Sequence, residues 1–177
     1  NGMGPAQLLA FSSSSSGATL PVTMKRCEEK LGISKETSSF VLPLGATINM
    51  DGTALYQAIA TVFIGQVMLD VPFSFATQVN IVLLTVLASI GTAAVPGAGM
   101  VMLIVILEGV WPAEAAVSPV PAFLLILSVD RILDMCRTAV NVFGDSCAAV
   151  VIGKTEGESG YYATLVEDSE DSGESDR

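Results

Sequence analysis

The feature that most constrains this chain is a stretch of 37 residues, 71–107, that contains no charged side chain. As one straight helix the stretch would be roughly 55 Å long, whereas the hydrocarbon core of a bilayer is about 30 Å thick. Its middle, residues 89–99, is rich in glycine and proline, and such a break leaves backbone groups that lipid cannot satisfy. We therefore predict a re-entrant hairpin here, with two half-helices that meet at a non-helical tip.

The composition also favours a membrane protein. Of the 177 residues, 51% are hydrophobic and 15% are charged, whereas about 25% are charged in typical soluble domains. The net charge of −10 argues against nucleic acid as a partner. The chain has no histidine, which excludes a Ser-His triad and imidazole metal sites. Cys27, Cys136 and Cys147 are too far apart for a CxxC motif, so we expect each to be an apolar filler of the core.

Another break lies nearer the start of the chain and is the first in sequence order, where a run of serines at 12–16 is followed by Gly17 and Pro21. Each of the two breaks precedes a long apolar segment, 38–69 in the first case and 120–153 in the second. Two units of hairpin plus helix are typical of secondary transporters, whose sites are built from discontinuous helices. We therefore predict an all-α integral membrane protein built as a pseudo-repeat of this unit.

The basic residues indicate an orientation. Lys25, Arg26, Lys30 and Lys35 lie between the first hairpin and the next helix, and the positive-inside rule places them in the cytoplasm together with the carboxy-terminal tail. Because the chain starts at Asn1 in the middle of a pattern, we expect an amino-terminally incomplete fragment. The predicted order is a first hairpin at 1–24, a basic cytoplasmic loop at 25–37, a discontinuous transmembrane helix at 38–69, the second hairpin at 71–110, a last transmembrane helix at 120–153 and a disordered, acidic cytoplasmic tail at 154–177.

Polar side chains recur along one face of the last helix. At 100° per residue, five of them fall within an arc of roughly 80°, namely Asp130, Asp134, Arg137, Asn141 and Asp145, with Thr138 at its edge. An ionisable group in a membrane helix costs about 2.5 kcal/mol or more at mid-depth unless it is paired or hydrated. One interpretation is a structural ion pair between Asp134 and Arg137. That pair leaves a surplus of carboxylates, which favours bound cations or protons.

A functional interpretation gives each group on this face a role. Arg137 offers a planar fork to a carboxylate, and Asp134 accepts a hydrogen bond from an ammonium group. Asn141 and Thr138 complete the polar contacts. The pattern therefore predicts a pocket for an acidic amino acid.

The segment 45–53 adds a cation motif. It holds Gly45 and Asn49, and Asp51 is the one charged residue of the predicted helix. Glycines and a lone carboxylate inside an apolar segment predict local unwinding, which frees carbonyl oxygens for a hard cation such as sodium. The alternative is a glycine-kinked helix with a buried, protonated Asp51.

Four motifs in this order resemble one family. They are the serine run with Thr-Leu-Pro-Val-Thr at 19–23, Asn-Met-Asp-Gly-Thr at 49–53, Ser-Ile-Gly-Thr-Ala-Ala-Val-Pro-Gly-Ala-Gly at 89–99, and Asp-x-x-x-Asp-x-x-Arg-Thr-x-Val-Asn-Val-x-Gly-Asp at 130–145. Together they are similar to the dicarboxylate/amino acid:cation symporters, the glutamate and aspartate transporter family, over residues 6–157. The resemblance implies an elevator-type transport core of two hairpins and two helices, without the scaffold helices that form the trimer in that family.

The resemblance also implies roles for individual residues. It implies substrate contacts by Ser16, Thr53, Val95, Gly99, Asp134, Arg137, Thr138 and Asn141. It implies sodium ligation by Gly45, Thr47, Asn49, Asp51, Ser89, Ile90, Thr92, Asn141 and Asp145. Relatives that carry neutral amino acids replace the arginine, so Arg137 implies L-glutamate or L-aspartate as substrate. The second hairpin is implied to be the extracellular gate.

One departure from the family pattern concerns a second arginine. Relatives carry it in the first hairpin tip or just after the second aspartate of the last helix, where this chain has Ser14 and Met135. Arg131 either takes over that role or is a structural anchor at the membrane interface. Because the resemblance links this arginine to counter-transport of potassium in animal relatives, the departure leaves coupling to potassium open. Coupling to protons is also left open.

The predicted function is sodium-coupled uptake of L-aspartate or L-glutamate by an intact, homotrimeric parent protein in the plasma or cytoplasmic membrane, and not an enzymatic activity. Its partners are then the acidic amino acid, sodium ions and the lipid bilayer. The alternatives are a proton-coupled dicarboxylate symporter, a non-transporting receptor or degenerate fragment, and an intramembrane aspartyl protease that uses Asp51 and Asp145.

Overall fold

The computed structural model describes residues 2–69 and 73–158, and these residues form helices and connecting segments without a strand. The helices are α1 (Gly4–Ser13), α2 (Ser16–Leu31), α3 (Lys35–Ile48), α4 (Asp51–Met68), α5 (Phe75–Ile90), α6 (Ala98–Val110) and α7 (Val120–Thr155). The prediction of an all-α fold is therefore confirmed for the described part of the chain. Within that part, no single helix has both the length and the hydropathy of a membrane-crossing segment.

A two-residue break separates α1 from α2 within the serine run. Ser14 ends α1 with a left-handed φ of 53° and donates its backbone N–H to the Ala10 carbonyl oxygen at 3.0 Å. Ser15 caps the start of α2, because its hydroxyl accepts a hydrogen bond from the Ala18 N–H at 3.1 Å. Serine side chains favour such caps over helix interiors, so the run forms a sharp connection between two helices.

The second break lies between α5 and α6 and covers residues 91–97. α5 ends at Ile90, and beyond it the Thr92 hydroxyl donates to the Ala88 carbonyl oxygen at 2.8 Å. Gly97 has a φ of 78° just before α6 begins, a conformation that glycine adopts at little cost. The two helices therefore meet at a short non-helical segment in the middle of the uncharged stretch.

A third break divides the apolar segment 38–69 into α3 and α4. It consists of Asn49 and Met50, and Asn49 closes α3 by donating its N–H to the Gly45 carbonyl oxygen at 2.8 Å. The carbonyl groups at the end of a helix otherwise lack partners within it. The break thus leaves backbone oxygens of α3 beside the residues of the cation motif.

The structure differs from the prediction between α2 and α3. Residues 25–31, predicted to lie in a basic loop, continue α2 as far as Leu31. No glycine or proline lies between Pro21 and Gly32, and Gly32 ends the helix with a φ of 65°. The connection is therefore limited to residues 32–34.

α7 is the central element, with 36 residues and a length of about 54 Å. It packs against α1, α2, α3, α4 and α6. Near its start it meets α4 and α6 around Ile64, Leu103 and Leu107, and near its end it meets α2 and α3 around Cys27 and Leu42. The predicted tail at 154–177 begins inside α7, which ends at Thr155, and residues 159–177 lie outside the described residues.

The three cysteines differ in burial. Cys27 is fully buried, and this burial raises the pKa of its thiol to about 11. It is therefore a neutral core residue, as expected. Cys136 and Cys147 are exposed and free, so the expectation that they fill the core is wrong, since both lie on faces of α7 that no other described helix covers.

Large apolar side chains are exposed and charged side chains are buried, the reverse of a typical soluble protein. Four large apolar side chains form a stripe along α4, and each is more than half exposed, namely Leu55, Ile59, Phe63 and Val67. Four charged side chains of α7 are at most 6% exposed, namely Asp130, Asp134, Arg137 and Asp145. Large apolar surfaces of this kind mark contact with lipid or with another protein.

Candidate ligand-binding site

The three helix breaks meet beside the middle of α7, and together with it they line a small cavity. Its volume is about 20 Å³, close to the room that one water molecule needs. All eight residues predicted to contact substrate line it, namely Ser16, Thr53, Val95, Gly99, Asp134, Arg137, Thr138 and Asn141. The other lining residues are Ser14, Met50, Thr92, Ala93 and Ala94. The cavity therefore draws on every break and on the polar face of α7.

Arg137 is the centre of the charged part of the site. Its Nη1 lies 2.8 Å from Asp130 Oδ1, and its Nη2 lies 2.9 Å from Asp134 Oδ1. The guanidinium carbon lies 4.6 Å from the centre of the Tyr56 ring, within the range of a cation–π contact. The ion pair with Asp134 that the sequence offered as a structural interpretation is thus present, and Asp130 adds a second carboxylate. The guanidinium is fixed on three sides.

Asp134 also joins α7 to the second break. Its Oδ2 accepts a hydrogen bond from the Gly97 N–H at 2.9 Å. Residues at the first break contact the other side of the second break. The Ser15 hydroxyl donates a hydrogen bond to the Ala94 carbonyl oxygen at 2.7 Å, and the Gly17 N–H donates to the same oxygen at 3.3 Å. The residues of both breaks therefore touch each other at the cavity.

Asn141 ties α7 to the start of α4. Its Oδ1 accepts a hydrogen bond from the Gly52 N–H at 2.8 Å, and its Nδ2 donates to Thr53 Oγ1 at 3.1 Å. A Cβ at Gly52 would overlap the backbone oxygen of Arg137, so glycine permits this close approach. The amide thus satisfies an N–H group in the first turn of α4 that has no partner within its own helix.

A second polar cluster lies around Asp145, about two helical turns beyond Arg137 on α7. Asp145 Oδ1 accepts a hydrogen bond from Asn49 Nδ2 at 3.0 Å. A Cβ at Gly45 would lie 2.6 Å from the same oxygen, and a Cβ at Gly144 would lie 2.9 Å from Asp51 Oδ2. Both carboxylates therefore approach the backbone where glycine leaves room, next to the carbonyl groups that end α3.

The other predicted cation ligands are placed differently. Ser89 and Thr92 are buried beside the second break, and each hydroxyl donates to a carbonyl oxygen of α5. Thr47 and Ile90 are exposed. Among residues 2–69 and 73–158, no group of three or more His, Cys, Asp and Glu side chains is placed to hold a metal ion. The oxygens present are those of carboxylates, amides and the backbone, which hard cations prefer.

Three residues at the site were missed by the sequence prediction. Tyr56 and Gln57 follow Thr53 by three and four positions on the same face of α4, and this spacing is the signal that identifies them. Gln57 is fully buried, donates its Nε2 to the Gly99 carbonyl oxygen at 3.1 Å and leaves its Oε1 without a protein partner. Ser15 had no distinguishing signal, because it is one of five serines in a row.

Ser14 and Arg131 bear on the missing second arginine. Ser14 lines the cavity, is 2% exposed and has a hydroxyl without a protein partner. Arg131 is exposed, and its Nη2 lies 3.5 Å from the Ser12 carbonyl oxygen near the end of α1. A positive charge stabilises the carboxy-terminal end of a helix. Arg131 thus contacts the last turn of α1 without lining the cavity.

A protein-family model described as the sodium:dicarboxylate symporter family matches residues 1–155. The chain belongs to this family. The resemblance found in the four motifs is therefore confirmed. The family is one of transporters and not of enzymes, so the aspartyl protease alternative is not favoured.

Individual family members are similar to the chain along most of its length. It is 45% identical over 151 residues to an excitatory amino acid transporter of Caenorhabditis elegans, which covers 85% of the chain and 29% of that relative. It is 47% identical over 154 residues to excitatory amino acid transporter 3 of Oryctolagus cuniculus, covering 86% and 28%. It is 44% identical over 151 residues to excitatory amino acid transporter 1 of Homo sapiens, covering 85% and 27%. The chain spans less than a third of the length of these relatives.

Proposed function

We propose that the intact protein is a sodium-coupled symporter of acidic amino acids, L-aspartate or L-glutamate, and that this chain is its transport core. The observation that carries the proposal is the cavity, because all eight residues predicted to contact substrate, four on α7 and four within or near the breaks, line one small pocket. Family membership and the names of the relatives point in the same direction.

The charges at the cavity match an acidic amino acid, which carries two carboxylates and one ammonium group. In our proposal Arg137 binds the side-chain carboxylate and Asp134 binds the ammonium, while Asn141 and Thr138 complete the polar contacts. Asp130 pairs with Arg137 at 2.8 Å, so the guanidinium keeps a partner when Asp134 turns to the substrate. Ser16, Thr53, Val95 and Gly99 are the proposed remaining contacts.

Sodium is the proposed coupling ion, held near the cluster around Asp145. The argument rests on the oxygen atoms near Asp145: its Oδ1 accepts a hydrogen bond from Asn49 Nδ2 at 3.0 Å, and Gly45 lets this carboxylate approach the end of α3. A hard cation in low-dielectric surroundings offsets the cost of these carboxylates. The proposed ligands are Gly45, Thr47, Asn49, Asp51, Ser89, Ile90, Thr92, Asn141 and Asp145.

The second hairpin, at 71–110, is the proposed gate. The cavity of about 20 Å³ has room for about one water molecule, so in our proposal one wall moves to admit an amino acid. Moving the second break away requires that Ala94 separates from Ser15 and that Gly97 separates from Asp134, whose hydrogen bonds measure 2.7 and 2.9 Å. The loaded core then moves past its scaffold in an elevator-type step.

We further propose that the chain is a multi-pass part of a plasma or cytoplasmic membrane protein with its tail in the cytoplasm. The proposed layout is that of the sequence segments, with hairpins at 1–24 and 71–110, spans at 38–69 and 120–153, and the tail at 154–177. The exposed apolar stripe of α4 and the buried charges of α7 support this layout. The parent protein is proposed to be a homotrimer, joined through scaffold helices that lie outside this chain.

Uptake of radiolabelled L-aspartate and L-glutamate by proteoliposomes tests the proposal on the full-length parent. Sodium is replaced by choline at fixed pH, and internal potassium is varied separately. We expect uptake to stop when sodium is removed. Uptake that survives without sodium but collapses without a proton gradient would favour the proton-coupled dicarboxylate alternative.

Binding by an Arg137 variant tests the assigned carboxylate contact. We expect Arg137→Cys to abolish binding of L-aspartate. The matched control is Arg131→Cys, because Arg131 lies on the same helix but does not line the cavity. Unchanged aspartate affinity in Arg137→Cys would refute the contact between Arg137 and the substrate carboxylate. Sodium coupling is tested separately, by the uptake assay.

A further inference from the structure

The carboxy-terminal end of α7 folds back on itself. Gly157 has a φ of 83°, its N–H donates to the Lys154 carbonyl oxygen at 3.2 Å, and the Glu158 N–H donates to the Gly153 carbonyl oxygen at 3.0 Å. These two bonds and the left-handed glycine form a Schellman motif. The turn brings the Glu158 side chain back over Gly153, where a Cβ would lie 2.8 Å from Glu158 Oε2.

The carboxylate of Glu158 contacts the first turn of α3. Oε2 accepts a hydrogen bond from the Ser34 N–H at 2.9 Å, and Oε1 accepts one from the Ser34 hydroxyl at 2.6 Å and one from the Thr37 hydroxyl at 2.5 Å. A carboxylate is favoured at the amino-terminal end of a helix, where N–H groups lack partners. The hydrogen bonds of Ser34 and Thr37 hold the pKa of the Glu158 carboxyl below its usual value.

Several residues besides its direct hydrogen-bond donors accommodate the Glu158 carboxylate. The Ser34 hydroxyl accepts a hydrogen bond from the Thr37 N–H at 3.1 Å while it donates to Glu158. Gly153 leaves space for the carboxylate, and Gly157 supplies the left-handed turn that returns it. The two ends that meet are 121 to 124 residues apart in sequence. The contact therefore depends on the tertiary fold and not on local geometry alone.

We propose that Glu158 is a strap that fastens the carboxy-terminal end of α7 to the amino-terminal end of α3. With it, α3 is anchored to α7 twice, by Glu158 at its first turn and through Asn49 and Asp145 just beyond its last. This double anchoring sets the position of α3 along α7. The proposal rests on contacts between residues outside the cavity and is independent of which ligand the cavity binds.

Hydrogen–deuterium exchange of the full-length parent protein tests the strap, with peptides that cover residues 33–42. Glu158→Gln removes the charge and keeps the size of the side chain. Glu156→Gln is the matched control, because Glu156 is an exposed glutamate two positions away. We expect exchange in the first turn of α3 to rise about fivefold or more in Glu158→Gln and to stay within about twofold of wild type in Glu156→Gln.

Thr37→Val supplies a second measurement that does not depend on the Glu158 variant, because it removes one donor and keeps the side-chain shape. We expect a smaller rise in exchange for Thr37→Val alone. Residues that act through one contact are not additive, so the double variant should exchange no faster than Glu158→Gln. Equal exchange in Glu158→Gln and wild type, or fully additive effects of the two substitutions, would overturn the proposal.

Discussion

Ser15 and Ala94 join the first helix break to the second, because the Ser15 hydroxyl donates to the Ala94 carbonyl oxygen at 2.7 Å. The Gly17 N–H donates to the same oxygen at 3.3 Å, and the Ser15 hydroxyl also accepts a hydrogen bond from the Ala18 N–H in the first turn of α2. One carbonyl oxygen of the proposed gate is thus held by two donors of the other hairpin. The gate cannot move away from the cavity unless both hydrogen bonds break.

Removing this hydroxyl should make the gate open more readily. A neutral hydrogen bond contributes about 1 kcal/mol, so we expect Ser15→Ala to speed substrate dissociation about fivefold. Release of radiolabelled substrate from the full-length protein in sodium measures the effect. Ser12→Ala is the control, since the Ser12 hydroxyl is exposed and bonds within α1. Equal release rates in the two variants would contradict a role for Ser15 in closure.

The planar fork of Arg137, and not its charge alone, should determine affinity for acidic substrates. Arg137→Lys keeps one positive charge near Asp130 and Asp134 but cannot bind a carboxylate through two parallel hydrogen bonds. We expect a loss of about 2 kcal/mol, or about 30-fold in affinity. Equilibrium binding of L-aspartate measures it, with Arg131→Lys as the matched variant outside the cavity. An affinity within a factor of two of wild type would show that charge alone suffices.

A side chain at Gly45 should disturb the cluster around Asp145. A Cβ there would lie 2.6 Å from Asp145 Oδ1, so the carboxylate must shift and its hydrogen bond to Asn49 weakens. We expect Gly45→Ala to lower the unfolding free energy by about 1–3 kcal/mol. Thermal unfolding with and without sodium measures this loss, and we expect the added stability from sodium to shrink as well.

The control for this substitution is Gly109→Ala. Gly109 is helical, and a Cβ there meets no heavy atom within 4 Å. Alanine stabilises a helix relative to glycine by up to about 1 kcal/mol, so this variant should be as stable as wild type or slightly more stable. Equal effects of the two alanines would mean that the space around Asp145 is not restricted.

The contact between Glu158 and α3 should weaken in acid. The hydrogen bonds of Ser34 and Thr37 lower the pKa of this carboxyl in the folded protein from its ordinary 4.5. A lowered folded-state pKa means that the stabilisation is complete above the unfolded-state pKa and is lost as the pH falls through the folded-state value. We therefore expect exchange at the first turn of α3 to approach that of Glu158→Gln only below about pH 4.5. Wild type and Glu158→Gln are compared with each other at each pH. A difference in exchange between them that vanishes toward neutral pH would contradict the assigned contact of Glu158 with α3.

The breaks and the polar face of α7 were predictable because their signals are local. Glycine and proline inside an apolar run mark a break wherever the rest of the chain lies, and helical periodicity brings Asp134, Arg137 and Asn141 to one face without tertiary information. The extent of α2 was not predictable from charge, because Lys25 and Lys30 are compatible with an exposed helix as well as a loop. Contacts such as those of Ser15 with Ala94, 79 residues apart, depend on packing between elements and leave no local pattern.

The uninterrupted course of α7 constrains how selectivity can change. Arg137, Asn141 and Asp145 lie on successive turns of one helix, so their separations along its axis are fixed at about 1.5 Å per residue. Substitutions on α7 can alter which groups meet the ligand but not the spacing between them. A ligand of different length must therefore be accommodated by the opposite wall, whose irregular backbone around Ser14 and Ala94 has no such fixed repeat. In the proposed transport site, size selectivity and charge selectivity would thus be divided between two walls of the same cavity.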